Sequence, residues 1–367
     1  MLSRTGKMAG LTVMAAAGSL VLTACGSGNN TTTPGPSASS SSKTDCAPGS
    51  LSAQGSTFQL NAELQWIKDF QNACSGAQIA YQGTGSGAGK TAFGNGTADF
   101  GGTDSLPKDP EQAAADKRCG TGYKGIVTPV VAGAVVLTYN LAGVDKLVLS
   151  PKTVAGIFQG KITKWDDAAI KADNAAATLP SLPIVPVHRS DKSGTTKIFS
   201  SWLTAADAAD WKLGADETLT WPGGQSAKGS DGTTTAVSQA KGGITYTELS
   251  FAKQRNLPFA DIKNQSGAAI TPNASSVSAA LTTATVDTSK GDLRIKPDYA
   301  TATATAYPLS APSYVLTCDK GNKSAALLKA YLTYALTSGK AVLDGLGYAP
   351  LPDAISTQAI AQVGTLA

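Results

Sequence analysis

Gly83-Thr84-Gly85-Ser86-Gly87-Ala88-Gly89, residues 83–89, follows the apolar segment Ile79-Ala80-Tyr81 and runs into a helical stretch around Lys90 to Phe93. A short strand that ends in glycines and a hydroxyl and turns at once into a helix is the repeating step of an open α/β sheet. The same chemistry recurs twice. Gly55-Ser56-Thr57-Phe58 follows the apolar lead Leu51-Ser52-Ala53 and precedes apolar residues at Leu60, Leu64, Ile67 and Phe70, spaced near 3.6 as in a helix. Arg189-Ser190-Asp191-Lys192-Ser193-Gly194-Thr195 lies between a strand at Ile184–His188 and a helix at Thr196–Leu203. Glycine lets a backbone approach a ligand closely. Hydroxyls donate hydrogen bonds, and the free N–H groups at a helix start attract an anion. Any one such turn is ordinary N-capping; three that converge form a small pocket of neutral donors.

Working outward, Phe100-Gly101-Gly102-Thr103-Asp104 reads as a strand with an end turn, and Ile126–Asn140 as one or two strands. Gly125 to Val144 carries no charge, but Pro129, Gly133 and Gly143 and the β-rich Val135-Val136-Leu137 make it a buried strand region rather than a membrane span. Ser150 caps a short helix at Pro151–Phe158. Tyr314–Thr317 is a late strand and Ser324–Ser338 a late amphipathic helix. The alternation gives an α/β class with open sheets.

The chain has 367 residues, enough for about two domains of ordinary size. Its 42% hydrophobic and 15% charged residues suit a globular body. A formal net charge of +4 argues for no nucleic-acid or other polyanion partner. The single histidine, His188, rules out a multi-histidine metal site, and no cofactor is expected.

Arg4 and Lys7 precede Met8–Ala24, which has no charged residue: the pattern of an export signal over residues 1–24. It ends in Leu22-Thr23-Ala24-Cys25, which resembles the lipobox of bacterial lipoproteins, in which the cysteine becomes the lipidated first mature residue. Residues 25–45 form a Gly/Ser/Thr/Asn/Pro-rich tether that cannot bury a core. The expected location is therefore the extracytoplasmic face of the cell membrane, held by lipid on Cys25. Cys46, Cys74, Cys119 and Cys318 remain, an even number outside the cytoplasm, which suggests two disulfides in one of three pairings.

Familiar nucleotide and hydrolase motifs fail by single residues. A P-loop ending in Gly89-Lys90-Thr91 needs glycine where Thr84 stands. A dinucleotide fingerprint from Gly83 and Gly85 needs glycine where Ala88 stands, and a nucleophile elbow at Ser86 fails at Thr84 and Ala88. What remains is anion recognition. Arg189 offers a planar fork of donors that the neighbouring Asp191 can orient. Asp104, at a strand end, only accepts when ionised, so it suits an oxyanion that carries a proton: phosphate near neutral pH rather than sulfate.

Together these pieces resemble the phosphate-binding proteins of the phosphate-specific ABC importer. The resemblance rests on Gly55–Phe58, Tyr81-Gln82-Gly83-Thr84-Gly85-Ser86-Gly87, Asp99–Asp104, Gly160-Lys161-Ile162-Thr163-Lys164-Trp165-Asp166-Asp167 and Arg189–Thr195, and runs from about Leu51 to about Leu351. It implies a non-enzymatic receptor with a two-lobed, type II periplasmic-binding-protein-like fold and a hinge between lobes. One lobe would take about 46–131 and 308–367, the other about 132–307. It implies phosphate contacts from Ser56, Thr57, the Phe58 N–H, Ser86, Asp104, Arg189, Ser193, Gly194 and Thr195, with Asp191 orienting Arg189. Lys192 departs from the glycine many relatives carry; His188 takes no ligand role. The implied partners are inorganic phosphate and the importer's permease and ATPase. The competing functions are a receptor for sulfate, molybdate or arsenate, an exported phosphatase, and a surface antigen.

Overall fold

The computed structural model describes residues 45–367. The expected export signal, Cys25 and most of the tether therefore lie outside the described residues.

The chain begins β1 (Gly49–Gly55), α1 (Leu60–Ala73), β2 (Ala77–Gly83), α2 (Ser86–Gly94), β3 (Phe100–Thr103) and α3 (Asp109–Cys119). Then come the 15-residue β4 (Gly125–Tyr139), β5 (Val148–Leu149), α4 (Pro151–Phe158), α5 (Ala168–Asp173), β6 (Val185–Arg189) and α6 (Gly194–Ala206). β7 (Gln225–Ala227), α7 (Gly229–Gln239), β8 (Gly243–Glu248) and α8 (Leu249–Gln254) follow. After β9 (Asp261–Lys263), β10 (Ala269–Ile270) and α9 (Ala274–Leu281) stand a hairpin of β11 (Thr285–Asp287) and β12 (Arg294–Lys296) and the long β13 (Ser310–Cys318). α10 (Ala325–Leu336), α11 (Leu343–Leu346), β14 (Tyr348–Ala349) and α12 (Asp353–Gly364) close the chain.

One sheet organises the molecule, with strand order β2-β1-β3-β13-β4-β8-β6-β7 and β14 paired to β4. β1 is parallel to β2 and β3, and β6 is parallel to β7 and β8. The two parallel sets are joined through β4, whose first part pairs antiparallel with β13, up to Ala134↔Ser310. Its last part pairs antiparallel with β8, from Val135↔Glu248 to Tyr139↔Ile244. β13 is also antiparallel to β3. The two parallel sets therefore run in opposite senses along β4, and their carboxyl ends meet near its middle. In open α/β sheets the crevice beyond the strand carboxyl ends is where ligands lie. Here two such crevices face each other.

Within the uncharged run 125–144, Gly125–Tyr139 form one strand rather than two, buried along its whole length and paired first with β13 and then with β8, which explains its continuous apolar sequence. Among the described residues no helix is long and apolar enough to cross a membrane. Trp66, Phe70, Phe100 and Tyr331 pack one set of strands against α1 and α10, while Phe158, Phe199, Trp202 and Tyr246 pack the other. Ser150 caps α4, accepting from the Thr153 N–H at 3.2 Å, as the Ser-Pro sequence requires. The disulfides join Cys46 to Cys74 and Cys119 to Cys318, one of the three pairings the sequence left open.

Candidate functional site

The three glycine–hydroxyl turns occupy the carboxyl ends of β1, β2 and β6, and Asp104 follows β3 directly, so the fold brings all four segments to the centre of β4. Adjacent residues of the first turn hold its two ends. Ser56 Oγ donates to Asp104 Oδ1 at 2.5 Å, and Thr57 Oγ1 accepts from Arg189 Nη1 at 3.2 Å. The start of α6 lies between the same two groups. Arg189 Nη1 donates to Thr195 Oγ1 at 3.1 Å. A Cβ on Gly194 would come within 2.5 Å of Asp104 Oδ2 and 2.4 Å of Ser86 Oγ. Glycine is therefore the residue that lets this helix start approach the carboxylate. Asp104 and Arg189, 85 positions apart by number, are thus held by the same two segments, the turn after β1 and the start of α6.

Arg189 is buried, its side chain 1% exposed, and forms a two-point pair with Asp191: Nε to Oδ1 at 2.7 Å and Nη2 to Oδ2 at 2.6 Å. Burial pushes the Asp191 pKa up, but the hydrogen bonds and charge of Arg189 outweigh it and leave the carboxyl below its usual range. The fork is thereby locked with Nη1 facing the hydroxyls of Thr57 and Thr195. Gly85 has φ +96°, and a Cβ there would lie 2.4 Å from Asp191 Oδ2, so the second turn also depends on glycine to accommodate this pair.

Asp104 is held from three sides: Ser56, Ser86 (Oγ to Oδ2, 3.0 Å) and Ser313 (Oγ to Oδ1, 2.5 Å). Burial, opposed by the Ser313 and Ser56 hydrogen bonds, raises its pKa to about 6. Ser313 also lies 2.6 Å from Gln59 Oε1, and Gln59 Nε2 donates to Glu63. One hydroxyl proton cannot serve both Gln59 and Asp104. With the amide so oriented, the neutral form of Asp104 completes the chain by donating to Ser313.

The remaining turn residues are disposed as follows. The Phe58 N–H donates to Ser56 Oγ at 2.9 Å, and the Phe58 ring packs in the core against Tyr348. Ser86 Oγ accepts from the Asp104 N–H at 3.1 Å. Ser193 caps α6, accepting from the Thr196 N–H at 3.1 Å, which leaves its hydroxyl proton to give away. Thr195 Oγ1 donates to Glu248 Oε1 at 2.6 Å, so its hydroxyl proton is already committed. Lys192 points away toward Glu111 and Glu217. His188 stacks on Trp221 at 5.0 Å, and burial lowers its pKa.

Sequence reasoning missed Ser230, Ser313, Glu248 and Glu217. Ser230 Oγ is 2.7 Å from Thr57 Oγ1, in a fourth turn, Lys228-Gly229-Ser230-Asp231-Gly232, whose composition matches the other three. Nothing in the sequence marks Ser313, which a crossing strand brings to Asp104 from 209 positions away. A cavity of about 540 Å³ opens beside Asp104, lined among others by Ser105, Lys197 and Tyr299. Among the described residues no group of three His, Cys, Asp or Glu side chains could hold a metal.

The chain is similar to known proteins over most of its length. A family model described as a PBP superfamily domain matches residues 36–338. A protein of Mycobacterium tuberculosis named phosphate-binding protein PstS 3 is 38% identical over 361 residues, covering 96% of each chain. The phosphate-binding protein PstS of Xylella fastidiosa is 36% identical over 332 residues, 89% of this chain and 86% of that one. A DING protein crystal structure superposes with TM-score 0.68 at 25% identity, covering 85% of this chain and 93% of the other. A periplasmic phosphate-binding protein solved with phosphate also gives TM-score 0.68, at 21% identity, with the same coverage and the same two-lobed fold.

Proposed function

The chain belongs to the PstS phosphate-binding proteins of the PBP superfamily, and we propose that it binds inorganic phosphate between its two lobes and delivers it to an ABC importer. The observation that carries this reading is that one set of hydroxyl-bearing turns holds both a buried, oriented guanidinium and a buried carboxyl. Arg189 Nη1 supplies charge to phosphate oxygens. Ionised Asp104 accepts the proton that phosphate keeps and sulfate lacks. Ser193 contributes its hydroxyl, and Gly194 and Thr195 their N–H groups at the start of α6. Thr195 acts through its backbone, because Glu248 holds its hydroxyl. Thr57 donates from Oγ1. Ser56 and Ser86 serve in part by orienting Asp104.

The lobes we assign are about 46–131 with 308–367, and about 132–307. On that division Ser56, Thr57, Ser86 and Asp104 come from one lobe and Arg189 to Thr195 from the other. Phosphate that touches both binds the closed arrangement better than the open one and shifts the balance toward it. We assign it a part in transport rather than catalysis, in keeping with the phosphate-binding proteins to which it belongs. We further assign lipid attachment at Cys25, which would keep the body beside the permease at the extracytoplasmic membrane face.

Isothermal titration of the protein at pH 7.5 with phosphate, arsenate, molybdate and sulfate tests the reading. Phosphate should bind at one site and sulfate at least about a hundredfold more weakly, the cost of facing an unprotonated anion with an ionised carboxylate. Equal affinity for sulfate would make the protein a general oxyanion receptor. Absence of phosphate binding would refute the assignment.

A further inference from the structure

We propose that Ser230 is a further phosphate-binding residue whose hydroxyl donates to a ligand oxygen on the Arg189 side of the pocket, an inference that rests on the receptor reading above.

The sheet puts Ser230 there. β7 lies parallel beside β6 with Arg189 opposite Ala227, so the residues after Ala227 emerge level with those after Arg189. The Gly229 N–H donates to Asp191 Oδ1 at 3.0 Å, which ties this turn to the carboxylate that orients Arg189. Ser230 is buried, 1% exposed, with Oγ 2.7 Å from Thr57 Oγ1 and 3.3 Å from Arg189 Nη1.

Proton accounting then decides its role. Nε and Nη2 of Arg189 are spent on Asp191. Nη1 has two hydrogens and faces three hydroxyl oxygens, those of Thr57, Thr195 and Ser230, at 3.2, 3.1 and 3.3 Å. Two N–H groups cannot serve three acceptors fully. Each hydroxyl also carries a proton to give away. Thr195 gives its proton to Glu248. Among the described residues the hydroxyls of Thr57 and Ser230 have only each other and Arg189 within hydrogen-bond distance. In that pair one hydroxyl donates to the other, and the second proton has no acceptor. A buried donor without an acceptor is costly. An oxyanion entering between Thr57, Ser230 and Nη1 removes that cost by accepting from all three. Ser230 thus supplies the hydroxyl donor that Thr195 has surrendered to Glu248, and it adds the turn after β7 to the ligand-facing segments after β1, β2, β3 and β6.

The test is calorimetric phosphate affinity for Ser230→Ala and Ser230→Thr beside the unaltered protein, with the melting temperature of each ligand-free form. Ser230→Ala should weaken phosphate binding about tenfold, the size of one lost hydrogen bond to a charged ligand. Ser230→Thr keeps a hydroxyl on the same atom and should remain within about threefold of the unaltered protein. An alanine variant that binds as tightly as the unaltered protein overturns the proposal. So does equal loss in both variants, because that marks the turn's shape rather than its hydroxyl. Failure of the unaltered protein to bind phosphate defeats the receptor reading itself, and this inference with it.

Discussion

Asp104 is where a single ionisation decides behaviour. Its pKa of about 6 lies above the ordinary carboxyl value of 3.8 because burial disfavours the charged form. The folded state thus holds the proton more tightly than the unfolded chain. The stability this confers is fully present below about pH 4 and is lost as pH rises through about 6. Relative to Asp104→Asn, which cannot ionise, the ligand-free protein should therefore lose melting temperature between about pH 4 and pH 6. A flat difference across that window would contradict the burial argument. Ligand choice should follow the same titration. Above pH 6 the carboxylate accepts from phosphate and opposes sulfate; below it the neutral carboxyl can donate to sulfate. Sulfate affinity should rise roughly tenfold or more from pH 7.5 to pH 5 in the unaltered protein and stay level in Asp104→Asn. Competition of sulfate against labelled phosphate measures both. The type of residue needed here was legible: a strand-end carboxylate and an arginine with an acidic neighbour announce themselves. The partners that tune Asp104 were not. Ser313 reaches it through a pairing of β13 with β3 and β4, and no local pattern marks such a long-range contact.

At the scale of elements, the strand-to-helix turns were readable wherever an apolar strand led into a periodic helix. α7 was not, because Gly229-Ser230-Asp231-Gly232-Thr233-Thr234-Thr235 has no apolar period and reads as a loop. Its helical state comes from packing against β6 and β8, a tertiary effect that overrides weak local preference. The α6 start depends on close approach. Gly194→Ala would push a methyl to within 2.4 Å of Ser86 Oγ and 2.5 Å of Asp104 Oδ2. We expect about tenfold or greater loss of phosphate affinity, since overpacking of this kind costs about 1–3 kcal/mol, with a matching fall in melting temperature. Calorimetry alongside thermal unfolding checks it, and unchanged affinity would show that the helix start does not approach Asp104 so closely. The Cys119–Cys318 bridge fastens the end of α3 to the end of β13 across 199 positions. Replacing both cysteines with serine should lower unfolding free energy by about 2–5 kcal/mol while leaving phosphate affinity within about twofold, because neither cysteine contacts the pocket. Denaturant titration of the oxidised protein and the variant measures the first, and calorimetry the second.

For the whole molecule, the two parallel strand sets are fastened together beside the pocket by a buried ionic cluster. Lys90 Nζ, on the helix after β2, lies 2.8 Å from Glu217 Oε1 and 2.9 Å from Glu111 Oε2, and Ser105 Oγ donates to Glu217 at 2.5 Å. Lys192 reaches the same two carboxylates. Lys90→Met would leave Glu217 buried with Lys192 as its one remaining ion-pair partner among the described residues, and should destabilise the protein by about 3–5 kcal/mol. Lys108→Ala, which breaks the exposed pair with Asp216, should cost less than about 1 kcal/mol. Equal effects in denaturant titration would refute the distinction. The opposition of two sets of strand ends across β4 was beyond sequence reading, since it depends on which strands pair and in which sense.

The most direct measurement is the structure of the protein crystallised with phosphate. A phosphate ion should lie at the start of α6, with one oxygen within hydrogen-bond distance of an Asp104 carboxylate oxygen and another on Arg189 Nη1. Phosphate held elsewhere, or Asp104 and Arg189 keeping only protein partners at saturating phosphate, would contradict the account.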